Sequence, residues 1–133
     1  MILSQRIDGV NEKMNFKESL KKIRDGYVKH QVESAKLPDF PEDDLVRYRM
    51  VFSGRVQKVG FRLEVCEMAG RLGITGYCQN LQNGDVLAEF QGPKNRITYL
   101  VRFMESLKRI KVTDKKMEKI ELKGEKGFVR RDS

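Results

Sequence analysis

This chain has little of what most readily announces chemistry. Its 133 residues contain one histidine, His30, and two cysteines, Cys66 and Cys78. Two cysteines are too few for a disulfide framework. They stand apart from each other and from His30, so no metal-ligand cluster is visible. His30 reads as a solvated residue on an N-terminal helix. No apolar run approaches the length of a membrane span. The opening stretch from Met1 to Asp8 lacks the long apolar core of a signal peptide. The expectation is a cytoplasmic protein with no membrane partner, no metal and no cofactor.

Positive charge is what the chain has in excess, a formal net +8 at pH 7. Residues 1–43 carry 8 Lys/Arg and 8 Asp/Glu and are neutral, whereas residues 44–133 carry 19 and 11. The excess therefore lies wholly on the second segment. Such a field draws in anionic substrates and also favours non-specific nucleic-acid contact, so it does not choose between them. The Lys-rich stretch from Lys108 to Lys126 lacks the interleaved aromatics of a nucleic-acid surface and reads as solvated. No specific nucleic-acid partner is expected. The length suits one domain with a single core.

The chain divides at an acidic, proline-bearing linker, Leu37 to Asp44. Before it, Asn15 and Glu18 are spaced as an Asn variant of the capping box, which predicts a helix start. Phe16, Leu20, Ile23 and Tyr27 then recur on one helical face, an apolar stripe that ought to be buried. After the linker the two periodicities alternate. Tyr48, Met50 and Phe52 mark a strand, and Val65, Met68, Ala69 and Leu72 a helix. Ile74 to Asn80 reads as a strand, and the Asn83-Gly84 dipeptide as a hairpin turn. Val86, Ala88 and Phe90 mark the returning strand, and Ile97, Leu100, Val101 and Met104 a second helix. Ile120 and Leu122 suggest a fourth strand, Phe128 and Val129 a short last one. The expectation is an α+β, ferredoxin-like β-α-β-β-α-β sandwich over residues 44–133, with a helical extension and linker over residues 1–43.

The most informative stretch joins the first strand to the first helix of that unit: Gly54-Arg55-Val56-Gln57-Lys58-Val59-Gly60-Phe61-Arg62. A Gly-bearing turn there points main-chain N–H groups into one concavity, and the helix start adds unpaired N–H groups with a partial positive charge. Together these suit an oxyanion such as a phosphate. Arg62, at the helix mouth, adds a planar guanidinium able to grip two phosphate oxygens.

This stretch resembles the acylphosphatase signature Gly-x-Val-Gln-Gly-Val-x-Phe-Arg. A second stretch, Leu72-Gly73-Ile74-Thr75-Gly76-Tyr77-Cys78-Gln79-Asn80 and then Gly84-Asp85-Val86, resembles the family's Leu-Gly-x-x-Gly-x-Val-x-Asn, turn, Gly-x-Val. The resemblance covers roughly Arg47 to Arg131. It implies the ferredoxin-like fold and metal-independent hydrolysis of acyl phosphates to a carboxylate and inorganic phosphate. By it, Arg62 binds the phosphoryl group, Asn80 orients the attacking water, and the N–H groups of Gln57, Lys58, Val59, Gly60 and Phe61 cradle the phosphate. The requirements agree. A carboxylate leaves without a proton at neutral pH, so electrostatic stabilisation and an in-line water are the main demands.

Two departures stand out. Lys58 occupies the family's usual Gly position. A positive φ there would cost a side chain on the order of 1 kcal/mol; alternatively its ammonium attracts anions, or it is an inert surface lysine. Cys78 replaces the usual Val and reads as a small hydrophobe. Two other readings of the chain stand beside hydrolysis: a non-catalytic anion- or protein-binding module on the same fold, and a basic nucleic-acid-associated protein. The extension's helix is expected to pack on its own domain or to be exchanged in a homodimer, rather than to dock a regulator.

Overall fold

The computed structural model describes the backbone of residues 2–132 and the side chains of residues 16–132. The elements run α1 (Ile2–Ser34), β1 (Leu45–Arg55), α2 (Phe61–Leu72), β2 (Thr75–Asn80), β3 (Val86–Pro93), α3 (Lys94–Ser106), β4 (Lys111–Ile120) and β5 (Phe128–Arg131). The strands form one sheet in the order β4-β1-β3-β2-β5. All neighbours are antiparallel except β2 and β5, which are parallel. This is the ferredoxin-like arrangement expected, with β5 added at one edge and α1 in front.

The core lies between one face of the sheet and helices α2 and α3. Val46, Tyr48, Met50 and Phe52 of β1 alternate inward against Phe61, Val65, Met68 and Leu72 of α2 and Ile97, Leu100 and Met104 of α3. Near the end of β1 the register with β4 shifts between Ser53 and Gly54. Gly54 has φ 118°, and a Cβ there would stand 2.1 Å from the Lys111 carbonyl oxygen, so only glycine fits. The kink directs the chain out of the sheet and into the loop before α2.

The extension differs from expectation in two ways. Helix α1 runs through Asn15 from Ile2, so Asn15 does not start it; its side chain lies outside the described residues. No proline interrupts residues 2–14, and Gln5, Arg6, Glu12 and Lys13 are good helix formers. The stripe of Phe16, Leu20, Ile23 and Tyr27 is exposed, at 51–69 %. The helix instead buries Val28 and Val32. The docked face is selected by polar contacts as well as apolar ones. Arg71 donates to the carbonyls of Val32 and Ala35, at the end of α1. Arg109 donates to Gln31 Oε1 at 3.1 Å and lies over the Tyr27 ring. Beyond α1 the linker is fastened along α3: Asp43 accepts from the Asn95 N–H, and Asn95 Nδ2 donates to the Pro41 carbonyl.

The fourth strand also starts earlier than the apolar residues implied, at Lys111, and Leu122 lies outside it. Most of β4 is exposed and lysine-rich, so main-chain pairing to β1 defines it rather than an apolar face. Lysines on an edge strand also discourage pairing with another sheet.

Candidate active site

The loop from Gln57 to Gly60 has no regular structure, and Gly60 is the N-cap of α2 in the left-handed region, at φ 79°. The Glu64 N–H bonds the Gly60 carbonyl at 3.0 Å and begins the helical ladder. Among the described residues, the N–H groups of Gln57 to Leu63 have no protein acceptor. They belong to a loop and first helical turn that line a small cavity of about 70 Å³. Free main-chain donors plus the positive end of a helix make it a natural oxyanion site.

Three supports hold the loop. Phe61 is buried, its ring 5.2 Å from that of Phe52. The Gln57 side chain donates to the carbonyls of Leu81 and Asp85, both at 2.8 Å. That ties the loop to the β2–β3 turn, just past Asn80. Arg109 donates from Nε to the Val59 carbonyl at 2.7 Å and from NH2 to Glu64 Oε1 at 2.7 Å. Burial pushes the Glu64 carboxyl up from its ordinary range, against the opposing pull of Arg109.

Arg62 and Asn80 line the same cavity. Arg62 is the second residue of α2; its NH1 donates to the Arg131 carbonyl at 2.8 Å and lies 3.9 Å from Asp132. The side chain is thus anchored by β5 at the pocket wall. Asn80 ends β2, and its Oδ1 is buried without a hydrogen-bond partner among the described residues. A buried acceptor left open in a polar cavity is available to a water or a ligand donor. Cys78 is fully buried beneath α2, and burial pushes its thiol up to about 12. At neutral pH it is a thiol and serves as the small hydrophobe expected. Cys66 is half-buried against the Phe128 carbonyl, a packing position. His30 is exposed, as expected.

Lys58 has φ 62°, the one positive-φ residue other than glycine among the described residues. The family's glycine preference is thus explained by backbone conformation. Lys58→Gly is expected to stabilise the protein by up to about 1 kcal/mol, the relief of the strain less the entropy that glycine adds to the unfolded chain. Urea unfolding reads the stability, and KM at low salt reads whether the ammonium also attracts substrate. Unchanged stability and unchanged kinetics would reduce Lys58 to an inert surface residue.

Two residues at this cavity escaped the sequence reading, Arg24 and Arg130. Parallel pairing of β5 with β2 sets Arg130 opposite Cys78. Arg24 comes from α1, far outside either motif. Among the described residues, the cavity is therefore lined by three guanidinium-bearing residues and Lys58, and by no acidic residue. Among the described residues, no group of three or more His, Cys, Asp or Glu side chains comes together. No helix among them is long and apolar enough to cross a membrane.

The acylphosphatase family model matches residues 48–130. The chain belongs to the acylphosphatase family. An acylphosphatase of Trichormus variabilis is 40% identical over 63 residues, which is 47% of this chain and 62% of that protein. An acylphosphatase of Pseudomonas paraeruginosa is 37% identical over 77 residues, 57% of this chain and 85% of that protein. The first curated relatives are thus matched over less than two thirds of their own length. The crystal structure of the Bacillus subtilis acylphosphatase superposes with a TM-score of 0.61 at 31% identity, covering 66% of this chain and 99% of that one. The Coxiella burnetii acylphosphatase gives 0.62 at 28% identity, covering 66% and 94%.

Proposed function

We propose that this member of the acylphosphatase family hydrolyses acyl phosphates to a carboxylate and inorganic phosphate without a metal ion. The observation that carries the reading is one small cavity sharing unpartnered main-chain N–H groups, Arg62 and the open Asn80 oxygen. In this reading the phosphoryl oxygens sit against the N–H groups of Gln57 to Phe61 and the Arg62 guanidinium. Asn80 Oδ1 accepts a hydrogen bond from a water and aims it at phosphorus. The water oxygen forms the new P–O bond while the bond to the acyl oxygen breaks. The electron pair leaves on the carboxylate, which needs no proton, and the water's proton passes to the phosphate product or to solvent. Fixed donors stabilise the charge on the equatorial oxygens without reorganising.

Residues 44–133 form the hydrolase unit in this reading, with residues 1–43 appended to it, and the partner is a small-molecule acyl phosphate. A homodimer through α1 is supported by the exposed Phe16, Leu20, Ile23 and Tyr27. A monomeric molar mass in solution would exclude it.

The test is turnover of benzoyl phosphate, followed by loss of its absorbance, with and without chelator. Chelator-treated protein is expected to match untreated protein, and inorganic phosphate to inhibit competitively. Activity lost to the chelator and restored by a divalent metal would overturn the metal-free mechanism. Phosphate binding without turnover would leave the anion-binding module, and affinity for nucleic acid falling steeply with salt would favour the third reading.

A further inference from the structure

We propose that Arg24 of α1 is a substrate-binding residue, a guanidinium that completes the oxyanion cradle from outside the stretch that matches the family model. The proposal rests on the hydrolase reading for its substrate, and on geometry for its site. Arg24 lies well before residues 48–130, the part that matches the family model. It nevertheless lines the same cavity of about 70 Å³ as Gln57, Lys58, Gly60, Phe61, Arg62 and Asn80.

The placement is specific. A Cβ added at Gly60, the N-cap of α2, would stand 3.5 Å from Cδ and from Nε of Arg24 and 3.4 Å from Cγ2 of Val28. The side chain thus lies across the residue at which the helix N-terminus opens. Its NH1 is 3.5 Å from the Lys58 carbonyl oxygen, a long contact to the loop itself. Its other partner among the described residues is the neighbouring Asp25, with Nε at 3.4 Å and NH2 at 3.3 Å from Oδ1. The side chain is about one third exposed. These contacts are long, so a phosphate oxygen in the cavity would offer this guanidinium a better acceptor than any it now holds.

The backbone that carries Arg24 is fixed. Val28 and Val32, one and two turns further along α1, are fully buried. Arg109 joins α1 to the loop and to α2, donating to Gln31 Oε1, to the Val59 carbonyl and to Glu64 Oε1. Arg24 is therefore held over the loop by the same contacts that hold the loop. Among the described residues, the lining contains no carboxylate to neutralise it. Asp25 is its recorded ionic competitor among the described residues. An anion that takes Arg24 from Asp25 also adds a bond between α1 and the loop, so phosphate should strengthen the docking of α1.

The experiment uses the full chain and inorganic phosphate as the probe. Calorimetry is run on wild type, Arg24→Gln, Arg24→Lys and Asp25→Asn. Arg24→Gln is expected to weaken phosphate about fivefold to tenfold, the effect of one partly exposed charge-assisted bond. Arg24→Lys should recover part of that, and Asp25→Asn should bind more tightly than wild type. KM for benzoyl phosphate should rise with the phosphate Kd, kcat changing by less than about twofold. Hydrogen exchange at Val28 and Val32 should slow on adding phosphate to wild type, and not in Arg24→Gln. A folded Arg24→Gln that binds phosphate as wild type does overturns the assignment. If Arg24→Gln undocks α1, Asp25→Asn decides, and unchanged phosphate affinity there overturns it too. Wild type that binds phosphate through Arg24 but turns over no benzoyl phosphate would keep this assignment and overturn the hydrolase reading. Wild type that binds no phosphate overturns both.

Discussion

Arg62→Ala is expected to lower turnover of an acyl phosphate at least about a hundredfold and to weaken phosphate binding as well. In the proposed mechanism the guanidinium faces the phosphoryl group in both ground and transition states, and a loop of neutral N–H groups would not replace its charge. Asn80→Ala should behave differently. Its open Oδ1 is an acceptor, which suits a water and not a phosphate oxygen. Turnover should fall while phosphate affinity stays near that of wild type. The pair of variants thus separates charge stabilisation from placement of the nucleophile. Arg62 also donates to the Arg131 carbonyl, so the variant's β5 must be checked by hydrogen exchange before the loss is assigned to chemistry. Asn80→Ala that kept most of its turnover would remove the water-orienting role.

The places of the loop and of Asn80 in the fold were legible because both belong to sequence patterns set mainly by local backbone. The strand–turn–helix order, the positive φ at Lys58 and the buried role of Cys78 all follow from residues close in sequence. Other features depend on partners distant in sequence. Apolar periodicity on α1 selects Phe16, Leu20, Ile23 and Tyr27, yet the helix docks through Val28 and Val32, supported by Arg71 and Arg109. Periodicity counts apolar residues and is blind to carbonyls capped by distant arginines. Arg24 reaches the cavity only because of that choice of face. Arg130 reaches it through a four-residue edge strand whose pairing with β2 leaves no local signal. Arg47 and Arg49 alternate with the core residues of β1, so a two-residue period assigns them to a solvated face. Arg47 is instead fully buried, hydrogen-bonded to Glu89 through Nε and ion-paired with Glu125.

That buried charge cluster should dominate the acid stability of the protein. Glu89 is 1% exposed and lies on the sheet face away from the helices. Its carboxylate accepts from Arg47 Nε at 2.9 Å, Arg49 Nε at 3.2 Å, the Tyr77 hydroxyl at 2.8 Å and Lys123 Nζ at 3.1 Å. Burial alone would push its carboxyl up, but the hydrogen bonds from Tyr77, Lys123, Arg47 and Arg49 outweigh it and hold it at about 2. A carboxyl whose folded value lies below its unfolded one stabilises the fold fully above the unfolded value. That contribution is lost as pH falls from the ordinary carboxylate range through about 2. The amount at stake is on the order of 3 kcal/mol. Glu89→Gln keeps the shape but removes the charge, leaving the Arg47 guanidinium, itself fully buried, with Glu125 as its one remaining carboxylate among the described residues. The expected cost at pH 7 is about 3–5 kcal/mol, because an undercompensated charge stays in the interior. Urea midpoints at pH 7 give the cost of the substitution, and the fall from pH 7 to pH 3 reads the larger part of the acid-labile contribution, since pH 3 still lies above about 2. Wild type should lose stability between them, and Glu89→Gln, already weakened at pH 7, should lose markedly less. Adding Arg47→Met to Glu89→Gln should recover much of the loss, since the stranded charge is gone. A Glu89→Gln protein as stable as wild type at pH 7, with the same acid limb, would show that this carboxylate does not hold the cluster together.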